Sequence, residues 1–425
     1  MADRISEAEA RPWTGPGTRE FVALMAALMA SNALAIDSML PALPAIGEGL
    51  GVAEDNRRQL VITAYLLGFG FAQLIYGPLS DRFGRKGLLI GSLGLFGIFS
   101  LLAGIASSFT LLLAARAMQG VVTAATRVLV VSVIRDRYQG SGMARIMSIV
   151  MIVFMIVPVL APSLGQGVLA IASWRHIFIL LAVYGAVLAL WTWLRLPETL
   201  REEHRRPLSL GHIGEAMWIT VRTRQSIGNT LAQTMLMGAL FAFIGSIQQI
   251  VFDVFGCPEL IGIVFACIAG PMVFSSYANS KLVMRFGSRR LLLIALSVFT
   301  GLAFFHAAVA ETMGETIWTF VLLQALTMSC FGLIGANAGA LAMEPLGHVA
   351  GTASSVQGVI TTVGGALIGL AIGQQFNGTT LPFLIGFTLC GASSLAVAFW
   401  ANRPPSEDSH DRVEVEVQKS ITRPG

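Results

Sequence analysis

The sequence predicts an all-α membrane protein in which twelve transmembrane helices form two pseudo-symmetric six-helix bundles. Three observations predict it. Of the 425 residues, 55% are hydrophobic and only 12% are charged, against roughly 25% charged in soluble domains. Apolar runs of about 20 residues, each long enough to cross about 30 Å of hydrocarbon as a helix, recur along nearly the whole chain. A phrase also occurs twice, RFGRKGLL at 82–89 and RFGSRRLL at 285–292, each time between the second and third runs of its half. Strand-like alternation is absent from the sequence, which argues against a closed β-barrel.

Polar, Gly and Pro breaks place the spans at 20–41, 58–79, 87–107, 110–134, 144–169, 175–196, 227–250, 259–281, 290–310, 316–342, 351–375 and 381–401. The first run ends in NALAID, where Ala33 and Ala35 resemble a signal-peptidase site. Asp3, Glu7, Glu9 and Glu20 precede it, unlike the short basic stretch of a signal peptide, so it is read as a retained helix. Ser31, Asn32 and Ser38 make it partly polar, and Asp37 lies near its outer end. The second and third spans are joined by GPLSDRFGRKG, which holds Gly77, Asp81, Arg82, Gly84, Arg85 and Lys86.

The fourth span carries Arg116 and Arg127, and a spacing of eleven residues puts both on one helix face, with Gln119 and Thr123 near the same stripe. A charge at mid-helix costs about 2.5–3.5 kcal/mol even on the lenient insertion scale. This stripe is therefore expected to face a cavity rather than lipid. The RDRY at its end offers Asp136 as a partner for Arg85. In the fifth span Pro158 and Pro162 are expected to bend the helix and Gly165 to permit close packing. The longest polar connection, 197–226, then separates the halves. The organisation is a tail over 1–19, a bundle over 20–196, the linker, a bundle over 227–401 and a tail over 402–425.

In the seventh span Met235, Met237, Phe241, Phe243 and Gln248 are candidates for substrate contact, although Met and Phe at helical spacing also serve as packing. Lys281, His306, Glu311 and Glu344 fall near predicted span ends, where interfacial solvation explains them. In the eleventh, Gly365, Gly369 and Gly373 at four-residue steps read as a helix–helix contact.

Short loops keep their Lys and Arg on the cytoplasmic side. With twelve spans and both ends inside, all 28 basic residues fall on that side except Arg57, Arg58 and Arg175 outside and Arg116 and Arg127 within the fourth span. The net charge of +4 is thereby explained without nucleic acid. Cys257, Cys267, Cys330 and Cys390 show no C-x-x-C spacing, so neither a metal site nor a disulfide framework is indicated. The phosphate-binding G-x-x-x-x-G-K-[ST] is missing, which argues against ATP hydrolysis, and no cofactor or enzymatic activity is expected.

GPLSDRFGRKG resembles the loop signature of the major facilitator superfamily. LLAARAMQG at 112–120 is similar to the arginine motif of that family's fourth helix. Asp37 in IDSMLPALPAIG, WRHIF at 174–178, LRLPETL at 194–200 and AMEPLGHVAGTASSVQG at 342–358 resemble the Bcr/CflA-type drug exporters. The fifth span departs from the glycine pattern of such exporters: Val157, Ala161 and Gln166 stand where glycines are expected, which loosens the inference about transport direction. The resemblance implies that helices one and four are neighbours at a central cavity, where Asp37 and Arg116, at similar depth, can pair. It also implies that Asp81 faces the N-terminus of the eleventh helix, near Gly351, as a latch.

The expected function is proton-driven export of small, largely apolar or amphipathic compounds by alternating access, with Asp37 and Arg116 coupling the proton. Asn32, Gln119, Thr123, Arg127, Met235, Phe241 and Gln248 are the cavity candidates. The expected partners are protons, a small-molecule substrate and the lipid bilayer, with a monomer in the bacterial inner membrane. A transporter of one metabolite or organic anion, in either direction, is the nearest alternative. A receptor or scaffold is a more distant one.

Overall fold

The computed structural model describes residues 14–138, 140–200, 202–204 and 210–403. The expectations for most of both tails, and for Arg201, Arg205 and Arg206, lie outside these residues. Among the described residues there is no β-strand, and twelve helices are long and apolar enough to cross a membrane. They are α1 (Thr18–Asp37), α2 (Leu60–Phe83), α3 (Arg85–Gly104), α4 (Phe109–Arg137), α5 (Gly140–Ile171) and α6 (Arg175–Arg195) in the first half. The second half has α7 (Arg224–Gln249), α8 (Ile261–Phe286), α9 (Ser288–Met313), α10 (Ile317–Ser329, resumed after a break at Cys330 by Phe331–Met343), α11 (Ala350–Gly373) and α12 (Leu381–Ala401). The first span is shorter than expected as regular helix. It stops at Asp37 and continues as a 3-10 turn over Leu40–Ala42 and a short helix over Leu43–Gly49, each opened by a proline.

The halves repeat each other in packing as well as in sequence. Within the first, α2 lies on α4, α3 on α6 and α1 on α5; within the second, α8 lies on α10, α9 on α12 and α7 on α11. Between the halves α2 meets α11 and α5 meets α8, a pair of contacts exchanged by the same two-fold relation. In lipid no hydrophobic force presses helices together, so close van der Waals contact must hold them, and small residues allow it. A Cβ built on Gly120 would stand 2.0 Å from the Tyr65 carbonyl oxygen, and one on Gly68 would stand 2.0 Å from that of Ala117. The backbones of α2 and α4 are therefore in contact. Gly332 serves α10 against α8 in the same way, and Gly165 brings α5 onto the end of α1, as expected. Gly365 and Gly369 pack on Met237 and Phe241 of α7, while Gly373 takes Gln59 of the other half. α5 remains one helix through Pro158 and Pro162.

Both copies of the repeated phrase turn on a glycine of positive φ, +94° at Gly84 and +75° at Gly287. That conformation ends one helix and starts the next within a single residue, and it favours glycine.

Candidate functional site

The charged loop at the α2–α3 junction is a compact cluster. Asp81 Oδ1 lies 2.7 Å from Arg85 Nη1, and Arg85 Nε reaches Asp136 Oδ2 at 3.3 Å. The Thr199 hydroxyl donates to the same Asp136 oxygen at 3.0 Å. Glu198, just past α6, accepts the backbone N–H groups of Arg85 at 2.9 Å and Lys86 at 3.1 Å. It satisfies donors that the start of α3 leaves free, and its carboxylate sits at that helix's positive end. A Cβ on Gly84 would fall 2.5 Å from Glu198 Oε2. The expected Arg85–Asp136 pair is present. The expected contact of Asp81 with the start of α11 is not seen among the described residues: Asp81 turns to Arg85, four residues on across the Gly84 junction, and a Cβ on Gly351 would meet nothing within 4 Å. Gly77 does lie near α11, its Cβ direction 3.9 Å from Ser355 Oγ. Arg82 is exposed and stacks on Phe83. Glu198 was legible only as part of LRLPETL, because nothing local ties it to a loop more than a hundred residues earlier.

A buried polar layer crosses α1, α2, α3 and α4 toward the other end. Arg116 is fully buried; its Nε donates to the Val61 carbonyl at 3.1 Å and its Nη1 to Gln119 Oε1 at 2.6 Å. The guanidinium also lies over the Tyr65 ring, 4.6 Å from its centroid. Gln119 in turn donates to Ser100 Oγ at 2.7 Å, Thr123 donates to the Gln119 carbonyl, and the Tyr65 hydroxyl donates to Asn32 Oδ1 at 2.9 Å. Asp37 is 3% exposed, and its Oδ1 has no hydrogen-bond partner among the described residues.

Two expectations are corrected here. Asp37 and Arg116 form no ion pair among the described residues: the contact at Gly68 and Gly120 carries α2 against α4, Arg116 Nε and Nη1 turn to the Val61 carbonyl and to Gln119, and its Nη2 is buried without a hydrogen-bond partner among the described residues. Gln119 and Thr123 do not open to a cavity, being 0% and 1% exposed within this network. Asn32 is half-buried. Tyr65, which bridges the helices, was not foreseen; an aromatic hydroxyl one turn from Gly68 was its only sign.

Arg127 behaves differently from Arg116. It is exposed although it sits well inside the span. Among the described residues no ion pair, hydrogen bond or ring contact holds it.

In the second half Met235 and Phe241 are half-buried, and Phe241 lies under Gly369 and lines a small cavity with Gln59, Thr63 and Leu66. Gln248 is buried with both amide atoms unpartnered among the described residues. Phe243 packs on Phe265, centroids 5.3 Å apart, which makes it core. His306 corrects the interfacial reading: it is fully buried, its Nε2 2.5 Å from Glu315 Oε1, while the Thr380 hydroxyl donates to Glu315 Oε2 at 2.8 Å. The loop before α10 folds Glu315 back over the helix end, a placement that span counting does not reveal. Glu311 and Lys281 are exposed as expected, and Glu344 is exposed and accepts from Gln225 at 2.7 Å.

The halves are tied at the end remote from Asp81 by neutral amides. Asn56 Nδ2 donates to the carbonyls of Gln374 at 3.1 Å and Phe376 at 3.0 Å, and Gln374 Nε2 returns a bond to the Asn56 carbonyl at 2.7 Å. Gln59 Nε2 donates to Gln249 Oε1 at 2.6 Å and to the Gly373 carbonyl at 3.1 Å. On the other flank Gln166 Nε2 donates to the carbonyls of Pro258 and Glu259 at 3.1 and 2.9 Å. These links join α2 to α7 and α11 and α5 to the start of α8, so the passage between the halves is closed at this end. Sequence patterns do not reveal them, since their partners lie up to 320 residues apart.

The sequence profile described as Major Facilitator Superfamily matches residues 25–369. An uncharacterized MFS-type transporter of Bacillus subtilis, YdgK, is 31% identical over 373 residues, covering 86% of this chain and 91% of that protein. A bicyclomycin resistance protein homolog of Haemophilus influenzae is 28% identical over 87% of this chain and 92% of its own. Among solved structures, that of a D-xylose-proton symporter superposes with a TM-score of 0.70 at 12% identity, covering 90% of this chain and 97% of that one. This last likeness bears on the fold alone.

Proposed function

The chain belongs to the major facilitator superfamily, and on that premise we propose that it exports small, largely apolar or amphipathic compounds, drugs among them, in exchange for protons. The observation that carries the coupling is Asp37, a buried carboxyl with no cation paired to it among the described residues, beside a Tyr65–Arg116 layer that spans four helices. A carboxyl in such a place is chemically suited to carry one proton and to respond to a nearby change of charge or hydration. The similarity to the Haemophilus bicyclomycin resistance protein homolog supports the choice of substrate. One unit charge crossing 100 mV is worth about 2.3 kcal/mol, enough for about a fifty-fold gradient of a neutral solute.

In this reading the two halves, divided at 197–226, rock about their contacts. The amides at Asn56, Gln59, Gln249 and Gln374 close the outer side while the compound loads from within. In the opposite state they part, and Asp81 meets the start of α11. The protein is a monomer in a bacterial inner membrane with both termini in the cytoplasm, and the charged loop faces the cytoplasm. The direct test is uptake into proteoliposomes with an imposed pH gradient, screened across diverse drugs and metabolites. Gradient-dependent accumulation of several unrelated drugs is expected, whereas accumulation of a single metabolite overturns the drug reading. For orientation, in whole cells on a cysteine-free background, Asp55→Cys is expected to react with an impermeant reagent and His204→Cys to be protected. Equal labelling of the two removes the proposed topology.

A further inference from the structure

We propose that Arg127 recognises an acidic group on the transported compound, so that the substrates are organic anions or zwitterions with an apolar body rather than neutral or purely cationic drugs. The proposal rests on the reading of the chain as an exporter of small compounds and narrows the class of those compounds.

Arg127 takes a defined direction on α4. At 3.6 residues per turn it lies about 160° around the helix from Leu111, which with Ala114 and Met118 forms an exposed stripe on α4. Its neighbours on the helix are already committed. Thr126 meets Ser31 of α1, hydroxyl to hydroxyl at 3.2 Å, and Gly120 meets the backbone of α2. Arg127 falls in the sector between those two contacts, so it points into the space flanked by α1 and α2, on the side away from the stripe. It is also about ten residues, or about 15 Å of helix, from the end of α4 at Arg137.

Among the described residues no counter-charge is supplied to it there. Arg116, on the same face, is compensated by a carbonyl, an amide oxygen and an aromatic ring. Arg127 has none of these, and the carboxylates of the first half are engaged or displaced. Glu20 binds Arg195, Asp136 binds Arg85 and Thr199, and Asp37 lies toward the opposite end. Water can solvate the guanidinium while the space between the halves is open. When the halves close over it that water is lost, and a cation inside a membrane needs a partner. A carboxylate or sulfonate delivered by the substrate supplies one, and the planar fork of arginine fits such a group with two parallel hydrogen bonds. Bound substrate would thereby remove an obstacle to closure, which links recognition to the transport cycle.

The test uses three probes of one shape and different charge, 2-naphthoate, 2-naphthamide and 2-naphthyltrimethylammonium, with the full-length protein in nanodiscs and in proteoliposomes. Wild type is expected to bind the carboxylate on the order of tenfold or more tighter than the amide, as for a hydrogen bond to a charged group, and the ammonium most weakly. Arg127→Gln is expected to erase that ranking, and Arg127→Lys, which keeps the charge without the fork, to retain part of it. Binding of all three within twofold by wild type, or an intact preference for the carboxylate in Arg127→Gln, overturns the proposal. Transport that is gradient-driven but indifferent to probe charge sinks this inference and leaves the exporter reading standing. Absence of gradient-driven transport of any compound removes both. Thermal stability of each variant, read on the same samples, separates loss of recognition from loss of fold.

Discussion

Asp37→Asn is expected to abolish accumulation of substrate against its gradient while substrate binding and downhill exchange remain measurable. Asparagine keeps the size of the side chain and removes the only function the coupling scheme asks of it, the gain and loss of a proton. An accumulation ratio of up to about fifty-fold per 100 mV should fall to about one. The site favours a clean result, since Asp37 makes no ion pair that the substitution would break among the described residues. The measurement is uptake into proteoliposomes under an imposed pH gradient, beside counterflow exchange with no gradient. Wild-type accumulation by Asp37→Asn would move the coupling role elsewhere, and the buried His306–Glu315 pair is then the better candidate than the exposed Glu344.

Gly120→Val is expected to destabilise the protein by about 3 kcal/mol or more, the upper range for overpacking, because the obstacle is backbone. A side chain there meets the Tyr65 carbonyl at 2.0 Å and the Phe69 nitrogen at 2.9 Å. Neither can swing aside without moving α2. Even Gly120→Ala should lower the melting temperature, although alanine is intrinsically better than glycine in a helix by about 1 kcal/mol. Gly94, where a Cβ would meet nothing within 4 Å, provides the control. Gly94→Ala should leave the melting temperature unchanged or raise it. The readout is thermal unfolding in detergent followed by size-exclusion chromatography, and a Gly120→Ala protein as stable as Gly94→Ala would show that α2 and α4 are not in backbone contact. Separation of these helices would also remove the Val61 and Tyr65 contacts of Arg116, so the two substitutions probe one polar layer from opposite directions.

The sequence by itself determined the number of spans and the repeat of the junction loop. It also determined which charges stand inside the membrane, and the pairing of Arg85 with Asp136. These come from rules that act along the chain: hydrocarbon thickness sets the length of an apolar run, and a charge at the end of one span stands at the same membrane depth as charges at the ends of its neighbours. Only the tertiary structure decided the partners of the charges inside the membrane. Arg116 and Asp37 agree in depth along their own helices, yet depth leaves rotation and neighbour undetermined, and Gly68 and Gly120 place Tyr65 and the Val61 carbonyl within reach of Arg116 instead. The same holds for Glu198 capping α3, for Glu315 folding onto His306 and for the amides that close one end. Each joins residues whose separation in sequence carries no periodic signal. Arg116 and Arg127 show the division most directly, for the spacing that puts both arginines on one face is written in the sequence, but only the tertiary structure sets the Val61 carbonyl and the Tyr65 ring against Arg116 and leaves Arg127 without a partner among the described residues.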